Sequence, residues 1–254
     1  MRTTLIALTL TLAALSFSAC GDQTTETPSS NPSAINATAP KSIDFQAELK
    51  STISALSGTT LKKLGDVGTF LHDSSATIPL PQEISDLSTT LKAAGQSDLI
   101  EKLSNSIQES AANTIQEVQK PLEGLLEKTP MGDTLSLITG ADDAITRHLE
   151  SATRQQFAAT VKPALVNALN QSGASDIIET IKEQGAQASG AISALKGMGI
   201  KTPSLDLDLE QYVNDHVVDL IFSKMATEEK KLRDDPGGRF AELYQAAKEK
   251  IAGN

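Results

Sequence analysis

From residue 42 to the C-terminus, apolar side chains recur every three or four positions, the period of a helix with one buried face. Ile43, Ala47, Ile53, Ala55 and Leu56 begin one stripe, and Leu61, Leu64, Val67 and Leu71 carry it past Gly58. Pro81 starts a helix predicted over Gln82 to Ala94, which Gly95 ends. The clearest stripe opens near Ser97 and runs through Leu99, Leu103, Ile107, Ala111, Ile115 and Val118. Pro121 removes a donor and crowds the preceding turn, so it is expected to kink or interrupt this helix. Ile145, Leu149, Ala152, Phe157, Val161, Leu165 and Leu169 mark another long helix, with Pro163 inside it and Gly173 at its end.

Asp176 with Glu179 reads as a capping box for the next helix, which fades into the Gly-rich segment 185–199. Leu205-Asp206-Leu207-Asp208-Leu209 alternates as a strand would, but reads better as an extended approach to a helix capped by Asp208 and Gln211. Val213, Val217, Leu220 and Ile221 continue at helical spacing. Thr227, with Glu228 and Glu229 behind it, is expected to open a further helix, because acidic groups suit the positive end of the dipole. Asp235-Pro236 reads as cap and first turn of a terminal helix whose face is Phe240, Leu243, Tyr244, Ala247 and Ile251. No pair of strong strand segments is present. The expected fold is an all-α domain over residues 42–254, a single multi-helix bundle with kinked long helices.

The first 41 residues follow a different pattern. Arg2 precedes an apolar run from Leu5 to Phe17, which is too short to span a bilayer as a stable helix. Ser18 and Ala19 are small, and Cys20, the single cysteine, follows them. This is the arrangement of a bacterial lipoprotein leader, with residues 1–19 removed and Cys20 lipidated; Phe17 stands where Leu is usual. Two or more acyl chains anchor stably, at roughly 0.8 kcal/mol per buried methylene. Gly21 rather than Asp follows the cysteine, so the expected destination is the periplasmic side of the outer membrane. Residues 20–41 are rich in Ser, Thr and Pro, with one large aliphatic residue, and read as a flexible tether.

Charge narrows the partners. The chain carries a net charge of −10. Arg2 is the only ionised side chain of the leader, so residues 20–254 hold 21 basic and 32 acidic side chains and a net charge of −11. Such a balance argues against nucleic acid and against docking on anionic lipid through basic patches. Aromatic residues are 3% of the chain and Trp is absent, which leaves little material for stacking platforms.

The order of several short stretches resembles a bacterial family known as domain of unknown function 4197. The stretches are Phe70-Leu71, Ile78-Pro79-Leu80-Pro81, Leu137-Ile138-Thr139-Gly140 with Ala144 and Thr146, Tyr212 with Leu220 and Phe222, and Glu228-Glu229-Lys230-Lys231-Leu232-Arg233 before Pro236. The resemblance spans the chain after the tether, except for 184–205. It implies a helical, exported protein of Gram-negative bacteria, and no activity.

Signatures of catalysis are sparse. There is no phosphate-binding Gly loop, HExxH, Gly-x-Ser-x-Gly or paired CxxC. Ser193 and Lys196 form a Ser-x-x-Lys pair without the companion motifs of penicillin-interacting enzymes. His72, His148 and His216 are far apart; His216 has Asp215 beside it and Asp219 one turn on, a conceivable metal or acid–base group. Asp206, Asp208 and Glu210 start like a calcium loop, but Gln211 and Val217 stand where Gly and Glu are needed. No cofactor and no metal is expected. The run from Glu228 to Asp235 reads first as a solvated helix face. The sharper reading makes Glu228, Glu229 and Arg233 a partner-docking surface or a buried ion-pair lock. Ile78-Pro79-Leu80-Pro81 reads as a rigid, partly buried connection, with a Pro-rich recognition motif as the alternative. The expected function is an envelope lipoprotein, non-enzymatic, that binds or scaffolds an envelope protein. A carrier of lipid or another apolar ligand is the alternative, and a hydrolase built around the histidines ranks third.

Overall fold

Four long helices carry the core, and the stripes read above are the faces they share. The computed structural model describes residues 43–93, 95–193 and 207–253. Helix α1 is Phe45–Leu64, α2 Val67–His72, α3 Gln82–Ala93, α4 Ser97–Lys128, α5 Thr134–Thr139, α6 Ala144–Gln171, α7 Ala174–Ser193, α8 Leu209–Asp234 and α9 Arg239–Ala252. Among the described residues there is no strand. Cys20, the leader, the tether, Asp206 and the Ser193–Lys196 side chains lie outside what is described.

Helix α1 packs on α4, α4 on α6, α6 on α8, and α8 back on α1. These contacts close a ring of four around Leu49, Ile53 and Leu56, then Leu103, Ile107 and Ile115, then Leu149, Phe157 and Leu165, then Val213, Val217 and Ile221. Phe157 and Phe222 meet across α6 and α8 with ring centroids 4.8 Å apart. Each such buried side chain contributes about 1.5–3 kcal/mol from leaving water. The shorter helices cover the ring: α2, α3 and α7 lie on α4, and α5 and α9 pack on each other.

Neither proline breaks its helix. Pro121 and Pro163 both lie on exposed faces, as do Glu117 and Ala159 four residues earlier, whose carbonyls lose an N–H partner and turn to water instead.

Three expected boundaries move. No helix opens at Thr227: α8 runs unbroken through it, and its buried positions Val218, Phe222, Met225 and Glu229 keep one register. Asp208 does cap α8, accepting from Gln211 N at 2.9 Å. Helix α7 begins two residues before Asp176, because Gly173, at φ +75°, reverses the chain directly after α6. Asp176 then stands in the first turn, where its charge suits the dipole. Asp235 ends α8 rather than opening α9; its carboxylate accepts from Gly237 N at 3.2 Å in a turn. Gly238 is the N-cap of α9, and a Cβ there would lie 2.7 Å from Asp235 Oδ2, so a larger residue would displace the Asp235 carboxylate from the turn.

The Ile78–Pro81 connection is held by side chains. Ile78 N donates to Gln108 Oε1 at 2.9 Å, and Gln108 Nε2 donates to Ile78 O at 2.8 Å. The buried amide thus pairs with extended backbone as a neighbouring strand would. Tyr212 Oη donates to Pro79 O at 3.1 Å, which ties the same segment to α8.

Candidate functional site

Helix α6 begins without a cap of its own. Asp143, its N-cap residue, makes no capping bond and pairs outward with Arg147 instead. The missing acceptor comes from α8. Glu229, 1% exposed, accepts from Ile145 N at 3.0 Å and Thr146 N at 2.7 Å, and from Thr146 Oγ1 at 2.7 Å. Arg233, one turn on and 8% exposed in its side chain, donates to the same carboxylate from Nε at 3.0 Å and Nη2 at 2.6 Å. Its remaining donors finish α5: Nη1 reaches Ile138 O at 2.8 Å and Nη2 reaches Leu137 O at 2.9 Å. The guanidinium also lies over Phe240 of α9, 4.8 Å from the ring centroid. One ion pair therefore caps the start of α6 and the end of α5 while seating α9.

This is the ion-pair lock, so the solvated-face reading of the charge run fails for Glu229 and Arg233. It holds for Lys230, which pairs at the surface with Asp142 at 2.6 Å and Asp234 at 3.4 Å. The signal that separates them was in the sequence: Glu229 stands four after Met225, where the apolar stripe demands a buried residue. Chemically the lock is closed. Five hydrogen bonds saturate the lone pairs of Glu229, leaving none for a substrate.

Glu228 faces elsewhere. It accepts from Lys63 of α1 at 3.0 Å and from Lys231 at 2.9 Å, both at Oε1. Burial pushes its carboxyl up, but Lys231 and Lys63 together outweigh that, and its pKa falls below the ordinary value. Both lysines line a cleft of about 710 Å³ between the end of α1, α2, the 73–75 turn and α8. In the same cleft, Lys224 Nζ donates to Asp73 Oδ2 at 3.0 Å and to Ser75 Oγ at 2.5 Å. Ser75 donates in turn to Asp73 Oδ1 at 2.5 Å. Ser75 and then Lys224 hold the Asp73 carboxyl down at about 2, against an ordinary 3.8.

The Ser75–Lys224 contact has the atoms of a serine–lysine dyad but not its hydrogen-bond arrangement. Lys224 donates to the Asp73 carboxylate as well, and the Ser75 hydroxyl donates to Asp73 rather than to the amine. A carboxyl near 2 is a poor base at neutral pH.

The histidines sit on three different helices. His148 Nε2 donates to Pro130 O at 2.7 Å. His216 Nδ1 donates to Tyr212 O at 2.9 Å, and its ring stacks on Tyr212 at 4.1 Å between centroids. His72 is exposed and lines the cleft. Asp219, read above as a partner for His216, pairs with Arg154. Among the described residues no group of three or more His, Cys, Asp or Glu is placed to hold a metal ion.

Fold and site together define a helical-bundle domain closed by a buried glutamate–arginine lock, with a polar cleft between α1, α2 and α8. The chain belongs to the family described as Protein of unknown function (DUF4197), whose model matches residues 40–247. No curated protein and no solved structure matches the chain. The stretches that carried the family resemblance meet in space: Leu137, Ile138, Thr146, Glu229 and Arg233 form the lock, and Ile78–Pro81 meets Tyr212.

Proposed function

We infer that the protein is an envelope lipoprotein whose helical domain works by binding or scaffolding, without chemistry of its own. The carrying observation is Cys20, a lone cysteine placed directly after an apolar leader and small residues. It accords with this reading that among the described residues no helix is long and apolar enough to cross a membrane. The absence of a free base or nucleophile in the lock and in the Asp73–Ser75–Lys224 clip supports a non-enzymatic role. The rim of the cleft carries Lys63, Lys224 and Lys231, which suits a polar ligand better than an acyl chain. Globomycin treatment tests the anchor: a longer precursor is expected to accumulate, and Cys20→Ala is expected to move the protein out of the detergent phase on partitioning. Unchanged gel mobility under both treatments would overturn it.

A further inference from the structure

Two helices turn polar faces toward each other at the end of the bundle where α1 finishes. On α8, Lys224, Thr227, Glu228 and Lys231 follow the spacing of one helix face, and all four line the cleft. Across from them α1 contributes Thr60, Lys63 and Leu64. Three features of this cleft go beyond what holding helices together needs.

Two ammonium groups, on Lys63 and Lys231, share one carboxylate oxygen of Glu228; of the other two carboxylates on the wall, Asp73 is taken by Lys224 and Asp66 caps α2. The lysines gather there although the chain as a whole is strongly acidic. Among the described residues, the cleft wall carries lysines and no arginine. Lysine binds phosphate as a compact, rotatable point charge that needs no fixed bidentate geometry. Thr60 lines the cleft at 1% exposure, and its hydroxyl has no hydrogen-bond partner among the described residues. A buried hydroxyl left in that state is uncommon in a well-packed protein, and a ligand oxygen would satisfy it.

We propose that the cleft between α1, α2 and α8 binds a small phosphomonoester, its phosphate held by Lys63 and Lys231 and its hydroxylated body reaching toward Thr60. Glu228 is then a gate charge. It keeps the two lysines together in the empty cleft and competes with the incoming phosphate for them. The inference rests on the binding reading above and is independent of the anchor.

The test is calorimetric titration of the purified full-length protein with glycerol 3-phosphate, with wild type, Glu228→Gln and the double variant Lys63→Gln/Lys231→Gln compared at low salt. Saturable binding is expected. The double variant should bind about tenfold or more weakly, as the loss of two charged hydrogen bonds implies. Glu228→Gln should bind several-fold more tightly, because it frees both ammonium groups and removes a like charge. Opposite signs for substitutions in one salt-bridge cluster do not arise from a structural role, and thermal melts of all three proteins report whether the fold is kept. A flat titration with wild type and Glu228→Gln overturns the inference, as does equal affinity across the three. Flotation with phosphatidylglycerol but not phosphatidylcholine vesicles, without binding of the free phosphomonoester, overturns it in favour of a phosphodiester headgroup. A failed titration leaves the globomycin result standing, and a failed anchor leaves the titration standing.

Discussion

Glu228 and Glu229 are chemically identical neighbours that point about 100° apart on one helix, and they live in different proteins as far as energetics is concerned. Glu229 is sealed in the core with five donors around it; Glu228 stands at the edge of a cleft with two exposed lysines. A buried charge is costly when unpaired, whereas an exposed pair is screened and worth little. The difference teaches that a charge run such as Glu228 to Asp235 cannot be assigned one role. The helix divides it by angle.

The largest break in the comparison is Glu229→Ala. It strands the Arg233 guanidinium in the interior and leaves Ile145 N and Thr146 N without an acceptor, so denaturant unfolding should show a loss of about 3–5 kcal/mol. Glu229→Gln should not rescue it, since its NH₂ group donates where only acceptors are wanted. Arg233→Ala comes next, at about 2–4 kcal/mol in the same measurement, because Glu229 keeps its three donors from α6 while the ends of α5 lose theirs. Lys at 233 should recover little, as one ammonium cannot serve Glu229 and two carbonyls in the same plane. Glu228→Ala should shift stability by no more than about 1 kcal/mol. If Glu228→Ala and Glu229→Ala cost the same, the contrast is wrong.

The smallest effect is a titration. Asp73 has a depressed pKa, so its stabilising contribution is complete above 3.8 and is lost as the pH falls from there to about 2. Carboxyl NMR should place its midpoint near 2, and Ser75→Ala and Lys224→Met should each raise that midpoint.

Much of the fold was legible because its signals are local. Pro81 opening α3, the positive-φ Gly95 beyond it, the stripe from Ser97 and the Asp208 cap all depend on residues within one or two turns. The failures share a cause. Asp176–Glu179 and Asp235-Pro236 have the composition of caps, yet a glycine turn before the first and the continuation of α8 before the second had already decided the boundaries. Thr227 looked like a start because two glutamates follow it; carrying the Val218, Phe222, Met225 register forward would have placed Glu229 inward and kept the helix whole. What no local signal supplies is the partner. That α6 would lack its own cap, and that Glu229 would reach it, follows from packing between helices more than 80 residues apart. The cleft was missed for the same reason: Lys63 and Lys231 look like ordinary surface lysines until α1 meets α8.

The lock also sets an order of events. Its donors at Ile145 and Thr146 emerge long before Glu229, which is 84 and 83 residues further along. A chain that grows or is exported N-terminus first holds α5 and α6 with unfinished ends until the last part of α8 arrives. Closing a loop of that length delays native contacts and leaves apolar faces open in the meantime. The domain is therefore built to complete its fold late, after nearly all of it has been delivered, and a chain cut short before Glu229 should remain a substrate for proteases rather than a smaller stable domain.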